Sequence, residues 1–105
     1  MKLTVELNGI EPDGGCWVGI SKHDVYPEGD HHEELIQLIN KVLDEGAQYT
    51  GGGLDGLRPL HVELSISIIT SKNECRPSFY LDARIISRLS SAGASLDFDP
   101  YIQSK

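Results

Sequence analysis

Two aspartates stand two residues apart near the end of the chain, in the stretch "SLDFDPY" (residues 95–101). On an extended backbone this spacing puts the carboxylates of Asp97 and Asp99 on one face, about 6.6–7 Å apart. That separation suits acid–base work on a glycosidic bond. Such work also needs a deep sugar cleft, and a chain of 105 residues offers little depth. On a solvated strand the same residues protect a sheet from aggregation. Beside Tyr101 they could equally select a cationic protein surface, since aromatic side chains anchor interfaces.

The other chemistry-bearing stretches are weaker. His23 and Asp24 pair a base with a carboxylate, but neither cysteine carries a local signature of a nucleophile. In "GDHHEE", His31 and His32 are neighbours. On a helix they diverge by about 100° and cannot easily chelate one ion, whereas zinc-binding helices use positions four apart. The glycines of "TGGGLDG" (residues 50–56) suggest a phosphate loop, yet no Lys follows and a strand comes next. A flexible connection is the better reading. Cys16 and Cys75 lack partners at zinc-site spacing and are expected to be two free thiols. No cofactor and no metal are expected.

The elements that must position these residues follow from periodicity. In residues 2–8, Leu3, Val5 and Leu7 alternate with Thr4, Glu6 and Asn8, a half-buried strand. A second strand is predicted over 16–22, with Cys16, Val18 and Ile20 inward and Trp17, Gly19 and Ser21 outward, forming a hairpin with the first. Asp30 and Glu33 make a capping-box pattern ahead of Leu35, Leu38, Ile39, Val42 and Leu43, one helical stripe. Gly46 is placed to end that helix, and residues 47–59 read as a glycine-rich loop. Residues 60–70 predict the longest strand, with Leu60, Val62, Leu64, Ile66 and Ile68 inward and His61, Glu63, Ser65 and Ser67 outward. Phe79 and Leu81 predict a short strand. Asp82 caps a second helix with a stripe of Ile85, Ile86, Leu89 and Ala92, Gly93 ends it, and a last strand runs from about Ser95 to Ile102.

The expected fold is α+β: a single domain over residues 1–105, built as a two-layer sandwich. A mostly antiparallel five-stranded sheet in the order ββαββαβ carries two helices on one face and leaves the other face open.

The net charge of −7 is uneven. Residues 1–34 carry eight acids against Lys2 and Lys22, a net −6, and residues 35–105 carry eight acids against seven bases. Free nucleic acid is therefore a poor partner, because phosphate binding needs a basic stripe. A basic protein is a better one, because opposite fields steer encounter. No run of apolar residues is long enough to span a membrane. The opening "MKLTVELNG" alternates where a signal peptide would be continuously apolar. A cytoplasmic location is expected.

The second half resembles an uncharacterised bacterial family, a domain of unknown function. The resemblance rests on an amphipathic helix, a long alternating strand, the segment Pro77 to Leu81, the capped helix Asp82 to Gly93, and the closing "LDFDPY" of Leu96 to Tyr101. It covers roughly residues 30–103 and implies no catalytic residues. In size and acidity the chain also resembles small immunity proteins of bacterial toxin systems.

These readings converge on a non-enzymatic acidic protein-binding module, of the kind in which an immunity protein neutralises a basic, nuclease-type toxin. The alternatives are a small enzyme using a carboxylate/His site and a self-associating structural domain. The expected partner-binding face comprises Glu6, Trp17, His61, Glu63, Tyr80, Asp97, Asp99 and Tyr101.

Overall fold

A computed structural model describes residues 1–71 and 79–103, with the backbone course alone for residues 71, 102 and 103. The elements are β1 (Lys2–Ile10), β2 (Trp17–Val25), α1 (His31–Thr50), a 3-10 helix (Leu54–Leu60), β3 (Glu63–Ser71), α2 (Ala83–Ala92) and β4 (Ser95–Gln103). The strands form one mixed sheet in the order β2-β1-β3-β4. β1 is antiparallel to both β2 and β3, whereas β4 runs parallel to β3. Parallel pairing needs a crossover, and α2 supplies it.

Alternation decides which face is dry. Leu3, Val5 and Leu7 of β1 and Leu64, Ile66 and Ile68 of β3 are fully buried. They join Leu35, Ile39, Val42 and Leu43 of α1 and Ile85, Leu89 and Ala92 of α2 in one cluster. The helices thus cover one face of the sheet. α1 begins where Asp30 accepts hydrogen bonds from the backbone of His32 and Glu33. The reciprocal bond of the cap comes from Glu34, which accepts from the Gly29 amide at 3.2 Å, and not from Glu33. The acids crowded at this helix start face the positive end of its dipole, so part of the N-terminal acidity has a structural role.

Among the described residues the sheet has four strands, not the expected five. Phe79 and Leu81 are partly buried against the core but lie in no strand. Both sides of β3 are already taken, by β1 and β4, and the 79–82 segment instead leads into the α2 cap, where Asp82 accepts from the Ile85 amide at 2.9 Å. Pro77 and Cys75 lie outside the described residues. Cys16 is an exposed free thiol.

Four further expectations are corrected. Gly46 does not end α1 but sits buried inside it, and a Cβ there would lie 2.6 Å from Leu7 Cδ2. The glycine lets the helix approach β1, and α1 ends a turn later at Gly51, with φ of 72°. The predicted glycine-rich loop is instead the last turn of α1 followed by the 3-10 helix, whose Leu57 plugs the core. Leu60 belongs to that helix, so β3 starts three residues later than expected. Arg58 projects from the same helix to close α2, donating to the carbonyls of Ser91 at 3.0 Å and Ser90 at 2.6 Å. Ile86, expected in the buried stripe of α2, is 54% exposed.

Candidate functional site

The face of the sheet away from the helices carries no covering layer among the described residues. Its side chains fall into rows set by strand register. One row is Lys22, Glu6, Ser65 and Asp97, and the next is Asp24, Thr4, Ser67 and Asp99. Asn8, Glu63 and Ser95 form a third row, and Lys2, Ile69 and Tyr101 a fourth. Rows lie about 7 Å apart and neighbouring strands about 4.8 Å apart.

Charge divides this face. On the β1–β2 half, acids meet bases: Glu6 stands opposite Lys22, and Asp24 lies 4.0 Å from Lys2 while accepting from the Thr4 hydroxyl at 2.7 Å. On the β3–β4 half, Glu63, Asp97 and Asp99 stand with serines, and neither strand contains a Lys or Arg. Ser65 donates to Glu63 at 3.2 Å. The acidic field of the sheet is therefore concentrated over its β4 side.

Six of the eight expected residues, Glu6, Trp17, Glu63, Asp97, Asp99 and Tyr101, stand on this face. The aromatics do not cluster, however. Trp17, 64% exposed, opposes Ile10 at the outer end of β2, whereas Tyr101, 55% exposed, lies at the diagonally opposite corner on β4. His61 and Tyr80 are elsewhere. His61 closes the 3-10 helix in the left-handed region with φ of 47°, ahead of β3. Tyr80 sits on the helix side, stacked on the His32 ring at 4.2 Å.

A second cluster escaped the sequence reading. Between Leu7↔Ser21 and Asn8↔Gly19 the β1–β2 register slips, leaving Ile20 as a bulge. Beyond it the parity of β2 is reversed, and Ser21 and His23 turn toward α1. The Ser21 hydroxyl donates to Glu45 Oε1 at 2.6 Å, and His23 Nε2 lies 2.7 Å from the same oxygen. The Ser21 bond, then the His23 bond, hold the Glu45 carboxyl below its ordinary range. Both donors meet one oxygen, so the imidazole does not stand between the carboxylate and the serine as a nucleophilic relay requires. The cluster fastens β2 to α1. His23 and Asp24 point to opposite faces and do not combine.

His32 is held by its stack on Tyr80, and among the described residues no three His, Cys, Asp or Glu side chains are grouped to hold a metal ion. Among the same residues no helix is long and apolar enough to cross a membrane.

No curated protein and no solved structure matches this chain. A family model does, over residues 11–103, which takes in β2 as well as the segment from α1 to β4. The chain therefore belongs to the DUF4279 family, a domain of unknown function.

Proposed function

We propose that this chain is a non-enzymatic protein-binding module whose acidic half-sheet docks on a cationic protein surface, in the manner of an immunity protein occluding a nuclease-type toxin in the cytoplasm. The observation that carries the reading is the β3–β4 face, uncovered among the described residues, where Glu63, Asp97 and Asp99 stand without a basic neighbour on either strand. Carboxylates so placed can engage the cationic groups that a nuclease directs at phosphate. The enzyme alternative has less support, because His23 is engaged by Glu45 on one face and Asp24 by Thr4 on the other.

The test is a pull-down from the native host with two baits, the wild-type chain and the Asp97→Asn/Asp99→Asn variant. Mass spectrometry should identify a basic protein enriched on the first and depleted on the second. Identical eluates from both baits would remove the reading.

A further inference from the structure

β4 forms one edge of the sheet, and its backbone polarity can be assigned. The Ser95 amide donates to the Val62 carbonyl at 3.1 Å, so the polar groups of Ser95 face β3. Alternation along a strand then turns those of Asp97, Asp99 and Tyr101 toward β3, and those of Leu96, Phe98 and Pro100 outward. Pro100 agrees with this assignment, since proline within a strand belongs where its missing N–H would face solvent. Among the described residues this edge pairs with no further strand, and over Leu96 to Pro100 it offers two complete donor–acceptor sets, at Leu96 and Phe98, and one further acceptor at Pro100.

The side chains of this edge are amphipathic. Leu96 and Phe98 point to the helix layer, yet they remain 46% and 40% exposed. Phe98 meets only one described aromatic neighbour, Phe79, edge-to-face at 4.7 Å. On the other face, Asp97 and Asp99 stand without basic neighbours on β3 or β4. An incoming strand would therefore find apolar groups on one face and carboxylates on the other.

We infer that the β4 edge takes up an extended segment of a protein partner as a fifth strand, one in which apolar side chains cover Leu96 and Phe98 and Lys or Arg side chains meet Asp97 and Asp99. This deepens the reading above and rests on it, giving the cationic partner a mode of attachment by strand addition. Charge complementarity selects this occupant over a second copy of the chain. Two β4 edges paired together would set the aspartates of one against those of the other, and like charges across strands are unfavourable.

The probe is a capped eight-residue peptide alternating Lys and Val, with two isomers carrying N-methyl groups on the valine amides or on the lysine amides. Only one alternate set of amides faces β4 in any pairing, so one isomer should lose binding by tenfold or more and the other should bind like the parent. In hydrogen exchange the parent should slow the Leu96 and Phe98 amides by tenfold or more, leaving Asp97 and Asp99 unchanged, since their amides already face β3.

Both isomers binding like the parent, or both failing alike, overturns strand addition. If they bind like the parent, cationic docking on the face still stands, because such docking uses no edge amides. Failure of the parent peptide itself overturns strand addition too, while the two-bait comparison judges cationic docking separately. Concentration-dependent dimerisation abolished by Phe98→Asp would assign the edge to a second copy and likewise overturn the proposal.

Discussion

Gly46→Ala sets two effects of opposite sign against each other inside α1. In a helix interior alanine is favoured over glycine by about 1 kcal/mol. Here the new methyl would lie 2.6 Å from Leu7 Cδ2 and 3.2 Å from Leu57 Cδ1. Both leucines are fully buried, so neither can swing into solvent. Forcing an extra methyl into a filled core costs about 1–3 kcal/mol. The net expectation is a destabilisation of up to about 2 kcal/mol, after the propensity gain is subtracted. A double-mutant cycle isolates the cause. Leu7→Ala alone should cost about 2–5 kcal/mol. In that background Gly46→Ala should become stabilising by up to about 1 kcal/mol, because the contact with Leu7 is gone and Leu57, 3.2 Å from the new methyl, can yield into the vacated space. Urea midpoints at unchanged m report each step. Stabilisation by Gly46→Ala in the wild-type background, or the same effect in both, would refute the close approach of α1 to β1.

Further expectations concern the ties between layers and the pH response. Arg88 donates to Asn40 Oδ1 at 2.7 Å and Asp44 Oδ1 at 2.6 Å, joining α2 to α1, so Arg88→Ala should cost about 1 kcal/mol in urea unfolding; an unchanged midpoint would show the tie to be idle. Glu45 has a lowered folded pKa, so its contribution is present above its ordinary 4.5 and is lost as pH falls through the folded value. The stability gap between wild type and Glu45→Gln should therefore narrow as pH falls below about 4.5, and a constant gap would contradict the bonds from Ser21 and His23. Asp97 is exposed and Asp99 half-buried on the solvent-facing side of the sheet, so Asp97→Asn/Asp99→Asn should leave unfolding within about 0.5 kcal/mol of wild type, as substitutions at the surface do; a larger loss would mean that the aspartates are structural.

The sequence made the alternation of β1, β3 and β4 legible, because one dry and one wet face impose a period of two. The starts of both helices were equally plain, since Asp30 and Asp82 cap by local chemistry. Misreadings arose where tertiary contacts overrule local signals. Gly46 has the residue type of a helix stop, yet its lack of a side chain serves packing against Leu7. The 3-10 helix looks like a loop in composition, and only burial of Leu57 fixes it in the core. The bulge at Ile20 had a detectable trace: Val18 and Ile20 are in phase with each other, but Val25, which packs against the same core, is out of phase. Reading that slip would have turned Ser21 and His23 toward α1. Of the expected binding face, six residues were legible by parity alone. Tyr80 failed because a fifth strand was assumed, and His61 because β3 was started too early.

The central claim is that the acidic β3–β4 half-sheet selects a cationic partner. Its most direct measurement is the association rate of the partner recovered from the native host, compared for wild type and Asp97→Asn/Asp99→Asn across ionic strength. From about 0.01 M to 0.15 M salt the screening length falls from about 30 Å to about 8 Å. The wild-type on-rate should fall by about tenfold or more over that range, and the variant should start slower and show a distinctly shallower dependence. Equal rates and parallel salt slopes for the two proteins would contradict the claim.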